Sequence, residues 1–309
     1  MIVKHNLNPL RVVATDRVPL AFATAVAVIV TAAHELLGVA HLAVPFAPVG
    51  TLGAAVAIFT AFRINAANAR WTEARAQWAT IQNSCRVLTR QLVAATTNSV
   101  ATGAAAPEAA ASYRREMAGR MVAFAYSLAA RLRGTNQLVV DRAWADDFGV
   151  PAHATNPANL QLQAIAVRVK DGVREGLVGQ FDPITLEPAL GALNGAATAC
   201  ERLKHTPTPR QYDYFSRVAV AVFSTLLPFG LLGALAPTES WWAVPLTVVI
   251  AGVFIVLERV GAILDSPFAN TVNDVPVSAI CRDIERDLLE QLGDTTLPDP
   301  EPIVAGFLW

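Results

Sequence analysis

The chain has 309 residues, of which 53% are hydrophobic and only 16% are charged, and its mean hydropathy is +0.40. This composition excludes an ordinary soluble domain of the same length. The formal net charge is only −1, but no Lys or Arg lies between residues 18 and 62 or between residues 218 and 258. Each gap can hold two helices of about 20 residues, the length that crosses a bilayer.

Four membrane-spanning helices are predicted from this pattern, at residues 18–40, 44–62, 217–236 and 241–263. The two short turns inside the gaps carry no Lys or Arg, so the positive-inside rule predicts that both termini and the long middle segment are cytoplasmic. We therefore expect a multi-pass protein of the cell (inner or plasma) membrane. The alternative is a soluble core of two buried apolar hairpins, but hairpins this free of charge rarely occur outside lipid.

The second span continues into a polar stretch without a helix breaker. Residues 59–78 read FTAFRINAANARWTEARAQW, so helix-forming residues cross the change from apolar to charged sequence. This predicts that the helix continues over residues 63–96, which is about nine further turns. Residues 94–112 are small, polar and interrupted by a proline, and they predict a loop.

The rest of the middle segment also predicts helices, at residues 113–133, 138–147, 157–178 and 184–204. The first of these carries one apolar stripe, formed by Met117, Met121, Phe124 and Leu128, which is typical of helix packing. Residues 206–209 then turn the chain back toward the third span. The sequence shows no strand-like alternation of useful length and no internal repeat.

Charge is separated along the polar part of the sequence. Residues 63–217 contain 18 basic and 12 acidic side chains, a net of +6, whereas residues 259–309 contain 3 basic and 9 acidic ones, a net of −6. The favoured interpretation is that the acidic tail packs along the basic middle segment. The alternative is a basic vestibule that concentrates anions.

Motifs for enzyme chemistry are missing from the sequence. HELLG at residues 34–38 begins like a zinc-binding helix, but Gly38 stands where the second histidine is needed. His34 and Glu35 lie near the outer end of the first span, where an interfacial role is favoured over a catalytic one. The three cysteines are expected to be reduced structural thiols. We expect no enzyme activity, no cofactor, no bound metal and no nucleic-acid partner.

The helix that leaves the second span resembles the signature of the bestrophin family, in which bacterial members carry a run close to F-R-x-N-x-x-x-x-R-W-W-E-A-R. The matching residues are Phe62, Arg63, Asn65, Arg70, Trp71, Glu73, Ala74 and Arg75. Thr72 stands where the family usually has a second tryptophan, and we expect this difference to change only the local packing.

Two further stretches resemble the same family. Residues 266–293 are similar to the block built on Pro-Phe-Gly, Asn-Asp-Leu-Pro and Ile-Cys-Arg, and its matching residues include Pro267, Phe268, Asn273 and Asp274. Asp182-Pro183-Ile184 is similar to the family's Asp-Pro-Ile. With four spans in the right order, the resemblance extends over essentially the whole chain.

The resemblance implies an all-α membrane protein, with four transmembrane helices and a cytosolic helical bundle, that forms one channel domain over residues 1–309. It also implies a homopentamer with a central pore and a hydrophobic neck at Ala54, Ile58 and Phe62. These positions are i, i+4 and i+8, on one helix face. Without the resemblance, such a stripe is more often lipid-facing or core.

The resemblance also places a cytosolic aperture at Ile184, where an ordinary core isoleucine is the alternative. We expect Asp182 to cap the helix that follows, with Pro183 at its first position. The positions after Phe268 hold one carboxylate, Asp274, whereas animal bestrophins have an acidic run that helps to bind calcium. Calcium activation is therefore not expected.

The expected function is passive conduction of small monovalent ions, with a slight preference for anions such as chloride and a gate that works by wetting and dewetting. The expected partners are other copies of the chain, the lipid bilayer and the permeating ions. Two alternatives stay open: a cation-conducting homologue, and a non-conducting membrane scaffold or accessory subunit. A secondary transporter is less favoured, since no pair of broken, charged half-helices marks a midplane site.

Overall fold

The computed structural model describes residues 17–134, 154–271 and 273–303, and every regular element in them is a helix. The α-helices are α1 (Arg17–Leu36), α2 (Phe46–Ala101), α3 (Pro107–Arg133), α4 (Pro157–Arg174), α5 (Asp182–His205), α6 (Arg210–Ala234), α7 (Ala243–Leu264) and α8 (Val277–Gln291). Short 3-10 helices lie at Ala40–Leu42 and Pro237–Trp242. The helix predicted at residues 138–147 lies outside the described residues.

The chain packs into two compact units. Of the described residues, 17–71 and 207–266 form one, which we call the membrane unit, while 72–134, 154–206, 267–271 and 273–303 form the other, which we call the polar unit. Four stretches are long and apolar enough to cross a membrane, and each coincides with one of the four predicted spans. The expectation of a single channel domain stays a prediction.

The core of the membrane unit joins α1, α2, α6 and α7. Val49 and Val56 of α2 and Phe223 of α6 are all buried in this core. Phe223 also packs against Phe254 of α7, with ring centroids 4.8 Å apart. Many apolar side chains on the outside of these helices are exposed, which suits a surface that faces lipid instead of water.

Helix α3 forms the centre of the polar unit. It packs against α4, α5 and α8, and all but two of the side chains from Met117 to Leu132 are buried. The predicted apolar stripe of Met117, Met121, Phe124 and Leu128 is fully buried, so the interpretation as helix packing is confirmed. A helix that is buried on all sides needs small residues between the large ones, and the alanines at 123, 125, 129 and 130 meet that need.

The loop predicted at residues 94–112 is wrong, because α2 continues to Ala101 and α3 already begins at Pro107. The hydroxyls of Thr96 and Thr97 each donate to a backbone carbonyl four residues earlier, at 2.7 Å, so these polar side chains are satisfied inside the helix. The chain turns only at Gly103, whose φ of 74° is left-handed.

The acidic tail packs on the basic middle segment within the polar unit, as the favoured interpretation predicted. Asp287 on α8 lies 2.6 Å from the guanidinium of Arg86 on α2. Asp294, just after α8, lies 2.6 Å from that of Arg115 on α3. These pairs neutralise part of the opposite net charges of the two segments.

Candidate functional site

Ala54, Ile58 and Phe62 lie on one exposed face of α2. Ile58 is 60% exposed and Phe62 is 70% exposed, whereas Val56 and Thr60 on the other face are buried. Among the described residues, the structure therefore separates a packed face of α2 from a face on which large apolar side chains are exposed. The predicted stripe coincides with the free face.

Two glycines fix how α2 is seated in the membrane unit. A Cβ atom at Gly53 would lie 2.7 Å from the ring of Phe223, and one at Gly233 would lie 2.0 Å from the backbone oxygen of Val44. The Val44 N–H also donates to the carbonyl of Phe229 at 3.2 Å. The start of α2 therefore touches the end of α6 backbone to backbone, and this contact orients the face that carries Phe62.

Arg63 follows Phe62 directly but points into the protein, where its side chain is only 7% exposed. Its Nη2 donates to Asp213 of α6. Its Nη1 lies 3.0 Å from Oε1 of Glu258 of α7, and 3.4 Å from the hydroxyl of Ser216. One guanidinium thus ties α2, α6 and α7 together beside the exposed stripe.

Arg217 balances the charge of this group. Its guanidinium lies 3.6 Å from both Asp213 and Glu258, so two arginines face two carboxylates. Sequence analysis did not identify Asp213 or Glu258, which lie 150 and 195 residues away from Arg63. The only sequence signal was that both sit where an apolar span meets the charged part of the chain.

Arg70, the second arginine of the family signature, makes a similar connection. The Nε atom of Arg70 lies 3.2 Å from Oδ1 of Asp265, just after α7, and the hydroxyl of Thr208 donates to Oδ2 of the same carboxylate at 2.9 Å. Within the polar unit, Glu73 accepts from Arg202 at 2.5 Å. Asn65 and Arg75 are exposed and Trp71 is partly buried.

A cavity of about 360 Å³ lies beside Phe62 within the membrane unit. It is bordered by the stacked rings of Phe59 and Tyr212, which are 6.1 Å apart and nearly parallel. The remaining lining is Arg63, Ala66, Ala67, Thr208, Pro209, Asp213, Gly261 and Asp265. The Phe62 ring therefore has open space next to it, which allows it to change rotamer without disturbing the core.

Ile184 lies at the start of α5 and is 70% exposed, as is its neighbour Phe181 at 75%. The alternative of a buried core isoleucine is therefore wrong within the chain. The predicted cap by Asp182 is also wrong: its carboxylate accepts from the N–H of Gly179, three residues earlier, at 2.8 Å. Asp182 is itself the first residue of α5. Its carboxylate therefore stabilises the turn that precedes the helix and does not cap the helix.

Asp274 holds together the loop after α7. It is only 3% exposed, and its carboxylate accepts from the N–H of Asn270 and the hydroxyl of Thr271. Pro267 and Phe268 are buried under this loop, and Asn273 is partly buried. Within the described residues, no three His, Cys, Asp or Glu side chains are placed to hold a metal ion. The Asp274 carboxylate thus stabilises the loop by accepting hydrogen bonds from it.

A model of the family described as bacterial and fungal bestrophin protein matches residues 10–290. A voltage-dependent anion channel-forming protein of Escherichia coli strain K12 is 30% identical over 263 residues, which is 84% of this chain and 81% of that protein. A protein of Mesorhizobium japonicum with the same description is 31% identical over 249 residues, which is 80% of this chain and 75% of that protein.

The fold matches as well. A crystal structure of a bacterial bestrophin homologue from Klebsiella pneumoniae superposes with a TM-score of 0.75 at 28% identity, covering 90% of this chain and 98% of that one. The match includes the all-helical architecture with four membrane-spanning helices. By sequence and by fold, this chain belongs to the bacterial and fungal bestrophin family.

Proposed function

We propose that the chain is the subunit of a passive ion channel in the cell membrane. The observation that carries this proposal is the exposed stripe of Ala54, Ile58 and Phe62, on a helix whose other face is packed. An exposed apolar stripe would suit contact with lipid equally well, but membership of the family favours a position at the pore. The relatives' description as voltage-dependent anion channel-forming proteins supports the same function.

Five copies around one axis would turn the stripe into three apolar rings. The rings would extend over about 12 Å, since a helix rises about 1.5 Å per residue. A narrow apolar passage of this kind gates by losing and regaining its water. Ala54 would make the outer ring the widest of the three, so Ile58 and Phe62 carry the barrier.

A second constriction is proposed at Ile184. Its side chain is exposed at a helix start that Pro183 and the Asp182–Gly179 hydrogen bond keep rigid. Five copies would present an apolar ring on short, well-supported side chains. Such a ring would sort ions by size more than by charge, because it offers no charged group.

Small monovalent anions are the proposed favoured ions. The edges of aromatic rings carry partial positive charge, so Phe62 side chains turned edge-on to a pore would favour anions. Residues 63–217 have a net charge of +6, which favours anions on the cytoplasmic side if the positive-inside orientation holds. The names of the relatives agree with this preference.

Reconstitution in liposomes tests the proposal. Purified protein should give chloride flux and unitary currents in planar bilayers, with a reversal potential that follows the chloride gradient. Flux without a chloride preference would favour a cation-conducting homologue. Membrane insertion without any current would favour a scaffold or accessory subunit and would overturn the proposal of conduction.

A further inference from the structure

The cavity beside Phe62 has no role in the proposed conduction path. Its volume is about 360 Å³, and all the residues that line it belong to the membrane unit. In other proteins an apolar cavity of about 150 Å³ binds benzene, so this cavity has room for more than one six-membered ring. A cavity of this size, with a mostly apolar lining and a few polar groups, is typical of a site for a small molecule.

Aromatic side chains form much of the apolar wall of this cavity. The rings of Phe59 and Tyr212 lie 6.1 Å apart between centroids and only 6° from parallel, and the Phe62 ring lines the same space. Ala66 and Ala67 also line it, and their side chains are too small to fill it. Aromatic rings attract one another in offset and edge-to-face arrangements. The wall therefore favours a ligand with an aromatic ring.

The charged side chains of the lining are already balanced. Arg63 is paired with Asp213 and with Glu258, and Asp265 lies 3.2 Å from Arg70. A charged ligand would bring a charge into this partly apolar space without meeting an unbalanced charge of opposite sign, and its loss of hydration would not be offset. The lining therefore favours a neutral ligand.

Asp213 can still accept a hydrogen bond from such a ligand. A carboxylate has about four lone-pair positions for hydrogen bonds. Arg63 donates to one oxygen of Asp213, whereas the guanidinium of Arg217 lies 3.6 Å from the other oxygen, which is too far for a hydrogen bond. The Asp213 side chain is 31% exposed. A ligand with one N–H or O–H group could therefore donate to it.

The position of the cavity along the helices disfavours a lipid chain as the occupant. Asp213 lies in the first turn of α6, and Asp265 directly follows α7, so the cavity lies at the polar ends of these helices. Lipid chains extend from the boundary of the bilayer toward its middle, away from such residues. Small amphipathic rings, such as those of tyrosine and tryptophan, prefer this boundary.

We propose that this cavity binds a small neutral aromatic molecule that carries one hydrogen-bond donor, of the phenol or indole class. Its ring packs against Phe59, Phe62 and Tyr212, and its N–H or O–H donates to Asp213. The proposal goes beyond conduction and does not rest on it, because binding is measured without any current.

Fluorine NMR with a fluoroindole as the probe tests the proposal. The unaltered full chain is placed in lipid nanodiscs, and empty nanodiscs of the same lipid give the background. Binding to the protein should be saturable, whereas partition into lipid is not. The N-methylated fluoroindole keeps the ring but has no N–H, and it should bind at least about threefold more weakly, because it cannot donate to the carboxylate.

The Ala66→Phe variant should lower the affinity for the fluoroindole at least about tenfold, because the added ring takes up the space of the ligand. The matched control is Ala69→Phe, which changes an exposed alanine three residues further along α2 that does not line the cavity. It should bind the probe as the unaltered chain does. If Ala66→Phe fails to assemble, the comparison of the two indoles on the unaltered chain decides.

Three results would overturn the proposal. The absence of saturable binding would mean that lipid or a neighbouring copy of the chain fills the cavity. Equal affinity for the two indoles would exclude the hydrogen bond, and unchanged binding to Ala66→Phe would place the ligand elsewhere. Currents are measured separately, so a failure of this site leaves the proposed function standing.

Discussion

The Nη1 atom of Arg63 lies 3.0 Å from Oε1 of Glu258, and this contact links α2 to α7 directly behind Phe62. Arg63, the first arginine of the family signature, thus connects helices inside the protein and does not face the proposed pore. Removing one partner from a buried ion pair costs more than the pair itself contributes, because the remaining charge is left without compensation.

The Arg63→Gln variant should therefore be strongly destabilised. Asp213 and Glu258 would lose their buried cation, which costs about 3–5 kcal/mol of unfolding free energy in comparable buried pairs. The control is Arg217→Gln, whose guanidinium is largely exposed and only 3.6 Å from the same carboxylates; exposed pairs contribute about 0–1 kcal/mol. Denaturation of both variants in detergent measures the difference, and equal losses would contradict the internal tie.

Replacing Ile58 or Phe62 with alanine should raise single-channel conductance or open probability. Each change would remove one of the proposed apolar rings, which would resist wetting. The matched control is Ile29→Ala on α1, which is equally exposed in the chain but belongs to no proposed ring. Currents that are unchanged in both stripe variants would mean that this face of α2 meets lipid.

The Ile184→Ala variant should fold and assemble normally, since this side chain is exposed within the chain. If it forms the aperture, the permeability of large ions relative to chloride should rise. The control, two residues along α5, is the buried Leu186, where alanine should cost about 2–5 kcal/mol of stability. Unaltered selectivity in Ile184→Ala would rule out the aperture.

Micromolar calcium should leave the currents unchanged. Asp274 has its oxygens engaged by Asn270 and Thr271, and a single carboxylate is a poor site for a hard divalent cation. The Asp274→Asn variant should lower thermal stability with or without calcium, because it weakens the hydrogen bonds of the loop. Calcium-dependent activation that vanishes in this variant would show that a calcium site exists.

Stability should fall at alkaline pH. Burial raises the pKa of the Cys85 thiol from 9.0 to about 12, and burial, followed by Glu201 and Glu73, raises the pKa of Cys200 to about 12. In the unfolded chain both thiols lose their protons at lower pH, so this stability is complete below about pH 9 and is lost as the pH approaches 12. Unfolding free energies across that interval measure the loss, and a Cys85→Ala variant should show a flatter profile.

The membrane helices were predictable because their signal is local. Apolar length and the absence of charge define each span, and four residues at most separate the predicted ends from the observed ones, apart from the α2 end, predicted at residue 96 and observed at Ala101, and the α6 start at Arg210. That start lies in the polar region, since Tyr212 and Asp213 continue the helix beyond the apolar run. Hydropathy predicts which part of a helix crosses lipid, but it does not predict the residue at which the helix begins.

The contacts of the site were less predictable because they join distant parts of the chain. The spacing of Ala54, Ile58 and Phe62 predicts that they share one face of α2, and the resemblance to the family singled out that face. The partners of Arg63 and Arg70 depend on how α6 and α7 pack against α2, and no local pattern encodes that. Asp182 is a smaller example of the same limit. Its carboxylate could cap α5 or accept a hydrogen bond from the preceding turn, and the position of Gly179 decides between the two.

The contact of Gly233 with the backbone of Val44 has a consequence for how such a chain can diverge. Because Val44 takes part through its main chain, the contact does not depend on the side chain at position 44, whereas a Cβ at position 233 would overlap the Val44 oxygen. The side chain at position 44 can then change over generations while the exposed stripe of α2 keeps its orientation. The requirement for a specific residue is thus carried by α6, at Gly233, and not by the segment that leads into α2.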